Sequence, residues 1–210
     1  MKVIYVYDAL CGWCYGFSSV INEFEEKYKD QVNFEVVSGG MITGNRIGPI
    51  GEVAPYISWA YKDVEKATGI KFGDKFLNET LKDGKAIFTS IPLAVAMSVF
   101  KKLQPNNSIA FASTLQKAIY YDGMEPENLI GYGAIAQKFG LDSNSFVVAM
   151  RDTANLELAK IDFQKSKELG VTGFPTVFVE IDNTYHKLSS GYLSLKSLES
   201  NFLALKNKHK

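Results

Sequence analysis

The chain has 210 residues, 46% apolar and 22% charged, the proportions of an ordinary globular protein able to bury a core without disulfide staples. Its 23 basic residues balance its 23 acidic ones, so no global field draws it to nucleic acid or to anionic lipid. No stretch approaches the ~20 continuous apolar residues of a helical bilayer crossing.

Residues 2–7, KVIYVY, have the β-branched and aromatic makeup of a buried strand. The same run is shorter than a signal-peptide core and lacks a small-residue cleavage site, so the sequence as given is expected to stay in the cytoplasm. In that reducing compartment a permanent structural disulfide is disfavoured and a transient catalytic one is not. From Cys11 to about Lys29 the pattern predicts a helix: Phe17, Val20, Ile21, Phe24 and Tyr28 recur at spacings of three and four and mark one apolar face. Residues 32–38, VNFEVVS, predict a second strand, parallel to the first through a right-handed crossover.

After Ser38 a glycine-rich connector, GGMITGNRIGPIGEVAP, opens a long block without strand pattern. Helical periodicity runs through residues 50–69, 91–103, 109–123, 127–140 and 143–170, with Gly140 and Gly170 placed as C-terminal caps. Strand character returns at 175–181, PTVFVEI, followed by a turn at Asp182 and Asn183, a hairpin partner at 185–190 and a closing helix from about Ser194. The basic end, Lys206, Lys208 and Lys210, reads as a solvated helix terminus. The order β-α-β, helical insertion, α-β-β-α is that of an α/β thioredoxin-like fold once the insertion is removed. Residues 1–40 and 155–210 are then a discontinuous thioredoxin-like domain, and 41–154 an all-helical insertion.

The stretch DALCGWCYGF, residues 8–17, holds both cysteines. A helix beginning near Cys11 brings Cys14 one turn later to the same side, a spacing that permits a disulfide. Unpaired amides and the positive end of the helix dipole face Cys11 and favour its thiolate, which makes it the attacking sulfur and Cys14 the resolving one. Two other readings compete. A closed zinc site needs four ligands, and beyond the cysteines the chain offers only His186 and His209. Cysteine is also a common buried filler, but filler does not call for this spacing at a strand-to-helix junction.

A second signal is GVTGFPTVFVE, residues 170–180. Pro175 can be a plain strand start, where its missing amide is tolerated. As a cis proline it would instead turn the backbone of Phe174 outward beside the cysteines, as an edge with which a client peptide could pair.

With these pieces in place the chain resembles the DsbA-like disulfide oxidoreductases of the thioredoxin superfamily, and is most similar to their FrnE-like cytosolic branch. The resemblance rests on the CxxC of Cys11 and Cys14, the CYGF around it, LQKAIYYDGMEPENLIGYGAIAQKFGLD in the insertion and GVTGFPT before the final hairpin. It implies Cys11 as nucleophile, Cys14 as resolving thiol, Gly12 and Trp13 as the dipeptide facing substrate, and Phe174 with Pro175 as the backbone contact. It implies no bound cofactor or metal. The partners are client protein thiols or disulfides, or glutathione, and the chain acts as a monomer or homodimer.

Two departures stand out. The dipeptide lacks the histidine that tunes the strongest oxidants, which leaves the direction of electron flow open. Family members place a buried acid six residues before the first cysteine, where this chain has Tyr5. A proton acceptor for Cys14 must then come from elsewhere, and Asp8 is the nearest acid, unless it is simply a turn residue.

Weaker signals are set aside on chemistry. Gly39 and Gly44 have phosphate-loop spacing, but Asn45 and Arg46 follow them rather than Lys and Ser or Thr; the glycines are expected to allow a sharp exit into the insertion. Tyr56, Trp59, Tyr61, Tyr120 and Tyr121 either line a cleft above Cys11 or fill the insertion core. A glutathione-dependent isomerase or kappa-class glutathione transferase would use the same fold with serine at position 11, and a non-catalytic peptide holder would use only the Pro175 edge.

Overall fold

The computed structural model describes residues 1–209, and Lys210, named above with the basic end, lies outside the described residues. Strand β1 (Lys2–Tyr7), helix α1 (Gly12–Tyr28) and strand β2 (Asn33–Ser38) form the expected β-α-β unit, with β1 and β2 parallel. After the insertion come β5 (Thr176–Ile181), antiparallel to β1, and β6 (Thr184–Ser190), antiparallel to β5, in a four-stranded sheet of order β2-β1-β5-β6. The two-residue turn between β5 and β6 puts Asp182 at φ 48° and Asn183 at φ 60°, the left-handed pair that matches the twist of a tight hairpin.

Alternation along β1 divides the core. Val3, Tyr5 and Tyr7 face the main apolar cluster with α1, whereas Ile4 and Val6 join Val37 and Phe178 in a smaller cluster on the other face of the sheet. The predicted apolar face of α1 is fully used: Phe17, Val20, Ile21, Phe24 and Tyr28 are all buried. Phe24 packs edge-on at 5.3 Å from Phe202 of the closing helix α9 (Leu195–Lys208), and burying one such ring stabilises by about 2–3 kcal/mol.

The insertion contributes, in chain order, β3 (Gly48–Pro49), α2 (Ala54–Thr68), α3 (Leu81–Asp83), β4 (Ile87–Phe88), α4 (Ile91–Leu103), α5 (Ser108–Tyr120), α6 (Leu129–Gln137) and α7 (Ser143–Met150). Helix α8 (Thr153–Glu168) then returns the chain to the sheet along β2. Helices α2 and α5 both lie against α1. A Cβ at Gly16 would come within 2.8 Å of side-chain carbons of Val64 and Thr68, so glycine there sets how closely α2 approaches α1.

Three local features differ from the sequence expectation. The ladder of β3 with β4 means the insertion is not purely helical; two residues per strand are too few for a period of two to show. A π-helical turn at Lys75–Thr80 precedes α3. The periodic stretch 143–170 is broken into α7 and α8, because the Asp152 carboxylate accepts from the amide of Ala154 and starts a new helix.

Candidate active site

Cys11 is the N-cap of α1, with extended backbone at φ −94° and ψ 113°. Its amide donates to the carbonyl of Asp8 at 3.1 Å, and its own carbonyl accepts from Tyr15 at 3.1 Å. This holds the cysteine where β1 ends and the helix begins. Both cysteines are free thiols. Both cysteines are buried, but Cys11 keeps 8% of its surface exposed and Cys14 none, so of the two residues only Cys11 reaches solvent.

The second predicted segment comes to the same place. The Cys11 thiol donates to the carbonyl oxygen of Phe174 across 3.5 Å, joining residues 163 apart in sequence. The Phe174–Pro175 peptide bond is cis. Thr176 Oγ1 donates to the carbonyl of Gly173 at 2.8 Å, and the amide of Gly191 to that of Pro175 at 2.7 Å, so the loop is tied on both sides. β5 starts at Thr176, directly after the residue that has no amide to give.

Asp8 is buried, and its carboxylate is fully engaged. Oδ1 accepts from the amide of Leu10 at 2.9 Å and from Ser90 Oγ at 3.0 Å, while Oδ2 accepts from the amide of Met41 at 2.7 Å. Burial raises its pKa, and these donors pull the other way. Asp8 therefore clamps the β1–α1 loop to two points of the insertion, as a turn residue would. Gln116 and Ser90, which complete this clamp, carry no motif that sequence reading could have found; Gln116 Nε2 reaches the Asp8 carbonyl at 3.4 Å.

Around Cys14 the surroundings are weakly solvating. Burial pushes its thiol pKa well up and the contact with Cys11 adds to this; a backbone hydrogen bond from Asp8 pulls the other way, and the Asp8 charge adds a smaller upward push. Three buried phenols, Tyr5, Tyr7 and Tyr120, feel the charge of Cys14, and burial raises the pKa of each well above the ordinary tyrosine value. Tyr120 donates to the carbonyl of Leu10. The hydroxyls of Tyr5 and Tyr7 are buried without a well-formed hydrogen bond.

Cys11 opens on a cavity of about 290 Å³ whose wall includes Trp13, Met41, Val53, Tyr56, Tyr61 and Phe72. None of the residues lining it is charged. Gly12 lies at the rim, where a Cβ would stand 3.6 Å from Phe72 Cζ, and Trp13 is 36% exposed beside Tyr192. Of the five aromatics flagged in the sequence, Tyr56, Tyr61 and Tyr120 line this cavity, while Trp59 and Tyr121 do not and are half exposed. Phe72, Met41 and Val53 were not foreseen, since only the path of the insertion brings them here. The histidines pair with each other at a ring separation of 4.9 Å, and among the described residues no group of His, Cys, Asp and Glu is arranged to hold a metal ion.

Comparison with known proteins bears on the family and the fold. The sequence profile of the DSBA-like thioredoxin domain matches residues 2–202. No curated protein matches the sequence. Among solved structures, a candidate protein disulfide isomerase from Nitrosomonas europaea superposes with TM-score 0.86 at 20% identity, covering 100% of this chain and 98% of its own. The cytosolic disulfide reductase DsbM from Pseudomonas aeruginosa superposes with TM-score 0.83 at 25% identity over 100% of both chains, and its structure with glutathione gives 0.81. A 2-hydroxychromene-2-carboxylate isomerase shares the fold at TM-score 0.67 and 16% identity, covering 100% of this chain and 98% of its own.

Proposed function

The chain belongs to the DSBA-like thioredoxin domain family, and we propose that this thiol–disulfide oxidoreductase works through Cys11 as nucleophile and Cys14 as resolving thiol, in the reducing direction. One observation supports the assignment above the others: the Cys11 thiol sits at the Phe174 carbonyl, its residue lines an apolar cavity and keeps a little solvent contact, and Cys14 has none. The Cys11 thiolate attacks a client disulfide; the client S–S bond breaks, one client thiolate leaves, and a Cys11–client mixed disulfide forms. Cys14, losing its proton, then attacks Cys11, which closes the Cys11–Cys14 bond and releases the second client thiolate. The client gains two electrons, and an external thiol such as glutathione restores the pair.

The reducing direction is supported by the uncharged surroundings: strong oxidants stabilise their reduced thiolate, and no residue lining the cavity at Cys11 carries a charge to add to the helix terminus there. The similarity to a cytosolic reductase supports both the direction and a cytoplasmic location. The uncharged wall, supplied by the insertion assigned to residues 41–154, favours clients that carry an apolar side chain beside the reacting cysteine; Phe174 and Pro175 offer the backbone edge to such a peptide.

The test is equilibration of the pair against defined glutathione ratios. The expected reduction potential lies between about −270 and −200 mV, the range of thioredoxins and glutaredoxins, and a value near −120 mV would sink the reducing assignment. A Cys14→Ala variant should accumulate mixed disulfides on Cys11. A glutathione isomerase or a peptide holder would keep its activity in that variant.

A further inference from the structure

Tyr120, the last residue of α5, is buried and belongs to two parts of the site at once. Its ring lines the cavity, stacked 5.4 Å from Tyr15 and edge-on 5.1 Å from Phe72. Its hydroxyl donates to the carbonyl of Leu10, in the peptide unit whose N–H belongs to Cys11. That N–H donates to the carbonyl of Asp8 at 3.1 Å. Both ends of the Leu10–Cys11 peptide are therefore pinned, and a pinned peptide fixes the point from which the Cys11 side chain leaves the backbone. One turn earlier on α5, the buried Gln116 holds the same loop: its Nε2 donates to the Asp8 carbonyl at 3.4 Å, while its Oε1 accepts from Ser18 Oγ at 3.0 Å. The backbone carbonyl of Tyr120 accepts from the amide of Gly73 at 2.9 Å, which anchors the loop carrying Phe72 to the same residue.

We propose that Tyr120 is a positioning residue for thiol–disulfide exchange: its hydroxyl, through the Leu10 carbonyl, holds Cys11 in line with the cavity in which the client's apolar side chain is bound. This rests on the assignment of Cys11 as nucleophile and of the cavity as the client's pocket. Alignment decides the rate once a client is seated, because a misplacement of about 1 Å at the reacting atom can cost ~100-fold. Leu10 and Tyr120 lie 110 residues apart, so no local preference of the chain sets their distance. Without the hydroxyl, the buried Leu10 carbonyl has lost its donor, and the peptide gains by turning towards another. Burial pushes the Tyr120 pKa well above the ordinary tyrosine value, so the group stays a donor and takes no part in proton transfer. The step it serves is the first: Cys11, having lost its proton to solvent, bonds to the near client sulfur, the client S–S bond breaks, and the far client sulfur leaves as a thiolate.

The experiment follows that step in a Cys14→Ala background, where the mixed disulfide accumulates, with a client peptide disulfide that carries an aromatic residue beside the cysteine. Release of the client thiol gives a limiting rate and a half-saturating peptide concentration. Tyr120→Phe keeps the ring in the cavity wall, so half-saturation should stay where it is while the limiting rate falls about tenfold or more. Iodoacetamide needs no alignment with the cavity and should modify Cys11 at nearly the same rate as before. Tyr132→Phe is the control: Tyr132 is also buried and its hydroxyl donates to the carbonyl of Pro126 at 2.6 Å, and neither residue lines the cavity. It should lose comparable stability and leave the limiting rate unchanged. Should Tyr120→Phe not fold, Gln116→Leu loosens the same loop from a residue that does not line the cavity, and should show the same loss of rate at constant half-saturation. An unchanged limiting rate in the folded variant, an equal loss in Tyr132→Phe, a loss carried by half-saturation, or an equal loss towards iodoacetamide overturns the positioning role. Failure of Cys14→Ala alone to form any mixed disulfide overturns the assignment of the cysteines, and this inference with it.

Discussion

The backbone of Gly39 lies so close to the ring of Phe174 that a Cβ on residue 39 would fall 2.1 Å from Cε1 and 2.2 Å from Cζ. The glycine that leaves β2 is thus the floor on which the Phe174–Pro175 loop rests. Gly39→Ala is expected to destabilise the protein by about 1–3 kcal/mol, the scale of overpacking, and to displace the Phe174 carbonyl from Cys11. Client reduction should fall more steeply than stability. Full activity in Gly39→Ala would show that the loop's position is not needed.

The two cysteines should differ sharply towards alkylating agents. In the reduced protein at pH 7, iodoacetamide is expected to modify Cys11 at least about tenfold faster than Cys14, which is fully buried and whose thiol pKa is pushed up by that burial. Peptide mapping after limited reaction reads the ratio. Equal labelling, or Cys14 first, contradicts the assigned roles.

Asp8→Asn keeps the shape but leaves one of three donors facing an amide nitrogen. Chemical denaturation should report a loss of about 1–3 kcal/mol. The Asp8 charge pushes the Cys14 thiol up, so the same substitution should bring the Cys14 titration down, read by thiolate absorbance in a Cys11→Ser background. A rise would mean that Asp8 aids ionisation of Cys14 rather than opposing it.

Glu25 gives a pH signature independent of the active site. Burial pushes its pKa up to about 7, with Glu26 adding to the shift and Lys29 opposing it. The folded state therefore binds this proton more tightly than the unfolded chain, whose Glu titrates near ~4.3. The resulting stability is fully present below the unfolded value and is lost as pH rises through about 7. Glu25→Gln should flatten the stability profile across that window and gain about 1 kcal/mol at pH 8, less than full linkage because the side chain is partly solvated. An unchanged slope in urea titrations at several pH values would refute it.

The cavity beside Cys11 can be filled from α2. Ala60 lines it, and Ala60→Trp should raise KM about tenfold for client peptides with an aromatic residue next to the cysteine, matching ~1.4 kcal/mol of lost burial. Turnover of oxidised glutathione should change little. Equal loss for both substrates would place the client's apolar group elsewhere.

What the sequence determined is local. The alternation in KVIYVY, the three-and-four spacing of Phe17 to Tyr28, the cysteine spacing at a strand end and the turn residues Asp182 and Asn183 each act over a few residues, and each produced the element expected of it. Together they carried the order of the fold and the family. Tertiary structure decided what depends on residues far apart in the chain. The Phe174 carbonyl meets Cys11, Ser90 and Met41 occupy Asp8, Phe72 and Tyr61 wall the cavity, and the hydroxyl of Tyr5 is buried without a hydrogen-bond partner. No periodicity encodes these meetings, because they follow from how the insertion folds back over the sheet. A buried phenol or carboxylate takes its chemical role from the neighbours that replace its water.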